Sequence, residues 1–94
     1  MIDEVKSGSA QLLDVRRADE WQSGHAEHAI HIPVDDLLQG AIGPLMPSKK
    51  IYVYCLSGGR AGRAATYLQS QGFQAENADG LADWLRAGGT LAKS

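Results

Sequence analysis

One change of period narrows what this chain can fold into more than any other feature. Ile51 to Tyr54 is an apolar, β-favouring run that stops at Cys55. A short loop containing Gly58 and Gly59 follows. Ala61, Ala64, Ala65 and Leu68 then recur at i, i+3, i+4 and i+7, one face of a helix over Ala61–Gln71. A strand that passes through a Gly-rich loop into a helix is half of a βα unit. Chains built from such units form parallel sheets covered by helices on both faces.

The flanking sequence repeats the theme. Ile2–Ser7 reads as a helix with Asp3 and Glu4 near its N-terminus, stopped by Gly8. Gln11–Val15 reads as a buried strand, and Ala18–Ser23 as a helix ending before Gly24. Ala29–Ile32 is a second short strand closed by Pro33, and Val34–Leu38 a helix opening on Asp35 and Asp36. Gly43-Pro44 and Pro47-Ser48 mark a loop before the Ile51 strand. Beyond Gly72, the expected cap of the long helix, Phe73–Asn77 is the last strand and Leu81–Ala87 the last helix. Residues 89–94 are expected to be a frayed tail.

Composition bounds the function. The 94 residues suggest a single domain over residues 1–94, with one core. A formal net charge of −2 gives no electrostatic reason to expect nucleic acid or an anionic membrane as partner. No run approaches a membrane span and no leader opens the chain, so the expected location is cytoplasmic, or periplasmic if a leader has been removed. A single cysteine excludes an internal disulfide and suits a reducing compartment. A monomer is expected.

That cysteine is the candidate nucleophile. At a strand end before a Gly-rich loop, successive backbone N–H groups can form an anion-binding nest, reinforced by the free N–H groups opening the helix. A thiol at that focus has its reactive thiolate form favoured. Arg60 and Arg63 are near enough in sequence to add positive charge. The alternative is a buried, inert cysteine. In open parallel sheets ligands bind beyond the carboxyl ends of the strands, which puts Cys55, Asp14 and Arg16 at one edge. His25, His28 and His31 recur every third residue, but Gly24 and the strand-like Ala29–Ile32 argue against the continuous helix that would align them, and no metal site is expected.

These residues resemble the rhodanese (sulfurtransferase) family along nearly the whole chain. The likeness rests on Leu13-Asp14-Val15-Arg16, on Glu20-Trp21 followed by Gly24-His25, and on Ala29-Ile30-His31-Ile32-Pro33. It continues through the loop Cys55–Arg60 and Gly80-Leu81-Ala82-Asp83-Trp84, in the right order and spacing. The short form, with Glu76-Asn77-Ala78 before Gly80, is similar to small stand-alone bacterial thiosulfate sulfurtransferases. The resemblance implies a three-layer α/β/α fold with a parallel sheet of four to five strands. It also implies ping-pong transfer of sulfane sulfur through a Cys55 persulfide. Thiosulfate or a similar donor would supply the sulfur, and cyanide, a small thiol or a protein thiol would collect it, without metal or organic cofactor. Leu56, Ser57, Gly58, Gly59 and Arg60 would form the cradle. Asp14 and Arg16 would order the loop or form an ion pair that only steadies the domain, Arg16 with Glu20 being one option. Arg63 would guide the anionic donor or be a solvated helix residue. Ser57 would donate toward the sulfur or only suit the turn.

Cys55 to Arg60 spans six residues, whereas the related dual-specificity phosphatases carry a loop one residue longer. The shorter loop fits a sulfur atom better than a phosphate and argues against a phosphatase or arsenate reductase. A non-enzymatic sulfur-carrier or interaction module is the other alternative. Three features depart from the family pattern. A Gly is commoner where His28 and Asp79 stand, the N-terminal edge strand of many members is missing, and Leu56 replaces an often cationic residue.

Overall fold

The structure, a computed structural model, describes residues 1–92. Its elements are α1 (Ile2–Ser7), β1 (Ala10–Asp14), α2 (Ala18–Ser23), β2 (His25–Ala26), β3 (Ile30–His31) and α3 (Val34–Leu38). They continue with β4 (Lys50–Cys55), α4 (Gly59–Ser70), β5 (Gln74–Gly80), α5 (Leu81–Arg86) and β6 (Leu91–Ala92). Four strands make a parallel sheet in the order β3-β1-β4-β5, with Leu13 opposite Val53 and Asp14 opposite His31. This is the α/β architecture the strand–helix alternation predicts.

The pleat divides the core in two. Leu13, Ile51, Val53, Cys55 and Ala75 face one way, against Leu37 of α3 and Ala61, Ala64, Ala65 and Leu68 of α4. The four α4 residues are those picked out by helical spacing, and all are buried. Ala10, Leu12, Tyr52 and Tyr54 face the other way, against Val5 of α1 and Trp84 of α5. Both faces are thus covered, as a parallel sheet requires.

The chain leaves β1 toward β3 on one side and returns through β4 to the other. The crevice for a ligand therefore opens beyond the ends of β1 and β4, where Asp14 and Cys55 stand.

Several boundaries differ from expectation. The Ala29–Ile32 strand contributes only Ile30 and His31 to the ladder. α4 begins at Gly59, two residues before its first apolar position, because the orphan N–H groups of a first turn need no apolar face. β5 runs on to Gly80. Val53 pairs with Asn77 but Cys55 with Gly80, so β5 carries an extra residue, a bulge with Asp79 at φ 66°. The largest correction concerns the tail. Leu91 and Ala92 pair antiparallel with Ala26 and His25. The Thr90 carbonyl accepts from the Trp84 indole N–H and the Glu27 N–H, both at 2.9 Å. Hydrogen bonds to a buried tryptophan hold what composition alone suggested would fray. The last two residues of the expected tail lie outside the described residues.

Candidate active site

Cys55 ends β4 with its side chain on the α4 face and is 1% exposed. Its Sγ accepts the Gly58 N–H at 2.9 Å and the Ala61 N–H at 3.4 Å. Gly58 can aim its N–H back at the sulfur because it sits at φ 100°, a left-handed conformation that favours glycine. Gly59 needs no such freedom; it is the first residue of α4. The Ala61 N–H is one of the first-turn donors without an intrahelical acceptor. Strand end, loop and helix start therefore converge on one sulfur. Leu56 and Ser57 form the exposed crest of the loop, and Leu56 is 60% exposed.

β5 buttresses the loop from beneath. A Cβ added at Gly80 would stand 2.2 Å from the Leu56 carbonyl oxygen, so only glycine admits the loop at this distance. The Asn77 side-chain amide donates to the Gly58 carbonyl at 3.2 Å and accepts the Asp79 N–H at 2.8 Å. Sequence reasoning gave Asn77 no role. It lies in regular register opposite Val53, on the face of Ala75, but a strand residue carries no sequence signal of which distant loop it will meet.

Asp14 and Arg16 pair with each other, not with Glu20. Both are buried, and Arg16 Nη2 lies 2.8 Å from Asp14 Oδ2. Arg16 also donates to the Gly24 carbonyl at 2.7 Å. Burial works against the Arg16 charge, and Asp14 more than offsets it, leaving the guanidinium above its ordinary value. Tyr54 completes the network by donating to Asp14 Oδ2 at 2.6 Å and accepting the Ala26 N–H at 3.0 Å. Burial and the neighbouring carboxylate raise the Tyr54 phenol well above the usual tyrosine range. This arrangement joins the ends of β1 and β4 to the start of β2 beneath the site.

Glu20 instead holds Arg60. Arg60 Nη1 and Nη2 donate to its two carboxylate oxygens at 2.7 and 3.0 Å. The Arg60 guanidinium brings the Glu20 carboxyl down to about 2 against the effect of burial, with help from the Arg17 backbone N–H. The positive charge that Arg60 is expected to add beside the cysteine is matched across to α2. Arg63, one turn on, makes no ion pair among the described residues. It borders a cleft of about 230 Å³ lined also by Val15, Arg17, Pro33, Val34, Asp35 and Arg60.

The three histidines part company. Trp21 stacks between His25 and His31, with ring centroids 3.4 and 4.6 Å away. The two imidazoles hydrogen-bond to the Trp21 and Arg16 carbonyls at 2.9 and 2.8 Å. His28 stands apart at φ 74°, beside Glu27. Among the described residues no group of three His, Cys, Asp or Glu side chains is placed to hold a metal, and no helix is long and apolar enough to cross a membrane.

A parallel α/β sheet with a cysteine cradled by backbone N–H groups at its switch point defines a class, and residues 1–87 match the Rhodanese-like domain family: the chain belongs to it. Among its relatives, "Uncharacterized protein YqhL" of Bacillus subtilis (strain 168) is 38% identical over 72 residues, covering 74% of this chain and 56% of YqhL. "Thiosulfate sulfurtransferase PspE" of Escherichia coli (strain K12) is 35% identical over 74 residues, 76% of this chain and 70% of PspE. A solved structure described as "rhodanese with anions from E. coli" superposes with a TM-score of 0.77 at 30% identity, covering 90% of this chain and 99% of that one. The chain thus spans little more than half the length of YqhL.

Proposed function

We propose that the protein is a sulfurtransferase in which Cys55 carries sulfur as a persulfide. The observation that carries this reading is the pair of N–H groups on Sγ, from Gly58 at 2.9 Å and Ala61 at 3.4 Å. N–H donors placed there stabilise negative charge that develops on sulfur during the transfer.

In the first half-reaction the Cys55 thiolate attacks the outer sulfur of thiosulfate or a similar donor. A new S–S bond forms, the donor's own S–S bond breaks, and its electron pair leaves on sulfite. In the second, an acceptor nucleophile, cyanide or a thiolate, attacks the outer persulfide sulfur and the pair returns to Sγ. Both steps are redox-neutral overall, and splitting the transfer in two is covalent catalysis. Leu56, Ser57, Gly58, Gly59 and Arg60 supply the cradle through their backbone. The Glu20–Arg60 pair fixes the first turn of α4, and Asp14, Arg16 and Tyr54 hold the floor. Arg63 supplies the unmatched positive charge that draws in an anionic donor. The likeness to PspE supports thiosulfate as donor. The exposed Leu56 makes the rim apolar at its crest.

Incubation with thiosulfate is expected to add one sulfur atom to the intact mass. Cys55→Ala should abolish both that adduct and cyanide-dependent thiocyanate formation. Undiminished turnover by the alanine variant would overturn the reading.

A further inference from the structure

We infer that the cleft beside the loop is an acceptor subsite for a small zwitterionic thiol, one carrying both an ammonium and a carboxylate group. This rests on Cys55 being the sulfur carrier. Two residues of the cleft wall neighbour residues that flank the sulfur. Arg60 in its wall precedes Ala61, whose N–H is 3.4 Å from Sγ. Val15 in its wall donates its N–H to the carbonyl of Tyr54, the residue before Cys55, at 3.1 Å.

Its charges are unevenly matched. Arg60 is engaged by Glu20, and Arg17 by Asp19 at 3.1 Å. That leaves Arg63 from α4 and Asp35 from α3 in the same cleft, opposite in sign, neither in an ion pair among the described residues and not closed on each other. Two unpaired opposite charges held apart on separate helices complement a ligand that carries both. Val15, Pro33 and Val34 between them offer an apolar floor for a methylene or two. At about 230 Å³ the space is smaller than the roughly 300–1,000 Å³ of drug-sized pockets, which selects a ligand of amino-acid size.

The chemistry is that of the second half-reaction. The ligand's thiolate attacks the outer sulfur of Cys55–S–S⁻. One S–S bond forms and the one to Sγ breaks, its electron pair returning to Sγ. The ligand leaves as a persulfide, with no change in net charge and no external oxidant.

The test uses single-turnover discharge of protein first loaded with thiosulfate and freed of it, so that the donor step does not enter. The probes are cysteine, cysteamine and 3-mercaptopropionate, each compared between wild type and variant so that intrinsic thiol reactivity cancels. Asp35→Asn should slow discharge by cysteine and cysteamine at least fivefold and that by 3-mercaptopropionate less than twofold. Arg63→Gln should slow cysteine and 3-mercaptopropionate at least fivefold and cysteamine less than twofold. Circular dichroism should show both variants folded. Equal effects on all three thiols, or no effect, would overturn the inference and leave the sulfur-carrier reading standing. Failure of the wild type to load sulfur on Cys55 would overturn both.

Discussion

Gly80 sits where no other side chain fits, because an added methyl would stand 2.2 Å from the Leu56 carbonyl oxygen. Gly80→Ala must therefore push the loop off its sulfur. A displacement near 1 Å can cost about a hundredfold in rate, so sulfite release in a single turnover with thiosulfate should fall at least about tenfold. An unchanged rate would show that the loop tolerates the shift. His28 is the opposite case. A non-glycine residue at φ 74° bears a left-handed strain of about 1–2 kcal/mol, which glycine relieves at some cost in chain entropy. His28→Gly should raise stability by up to about 1 kcal/mol, read as a higher urea midpoint. The sequence singled out His28 and Asp79 as departures from the family pattern, and they are the non-glycine residues with positive φ among the described residues. It gave the positions but not the cause, because a backbone angle leaves its mark only through which side chains are absent. The contact between Cys55 and Gly58 was legible because it depends on local chain geometry. Asn77 and the partner of Arg60 were not, since they are reached only after distant segments have packed.

Elements carry the contacts that join those segments. Glu20 on α2 and Arg60 on α4 meet across 40 positions of sequence. The strands and α4 were readable from apolar spacing, because burial on a sheet face or helix stripe imposes a period. β6 has only two residues and no period to show. It follows directly on Thr90, and a chain ending at Gly89 would remove the Thr90 carbonyl and leave the Trp84 indole N–H and the Glu27 N–H without that acceptor. Leaving a buried indole N–H unpaired costs about 1–3 kcal/mol, so that truncation should lower the urea midpoint clearly. No change on truncation would mean that β6 adds nothing to the fold.

At the scale of the whole molecule, opposed titrations bound the stable range. The Glu20 carboxyl lies at about 2 against an ordinary 4.5, so the folded state binds fewer protons than the unfolded one between those values. Its stabilisation is full above about pH 4.5 and is lost as pH falls toward 2. Tyr54 is raised, so the folded state keeps a proton that the unfolded chain gives up. Its contribution is present below the ordinary tyrosine value of about 10 and is lost as pH rises further. Urea midpoints should form a plateau from about pH 5 to 10 and fall on both sides. Glu20→Gln should lower the plateau and flatten its acid limb, whereas an acid limb as steep as wild type would place the protonating group elsewhere.

Trp21 gives the molecule a property unrelated to sulfur. Its indole lies between two imidazoles at 3.4 and 4.6 Å, so its surroundings change whenever either ring is displaced. Trp84, buried and bonded to Thr90, has no imidazole stacked on it among the described residues and supplies a steadier background. Emission from this domain is therefore an unlabelled optical gauge of α2, changing whenever the helix that presents Glu20 moves away from the loop.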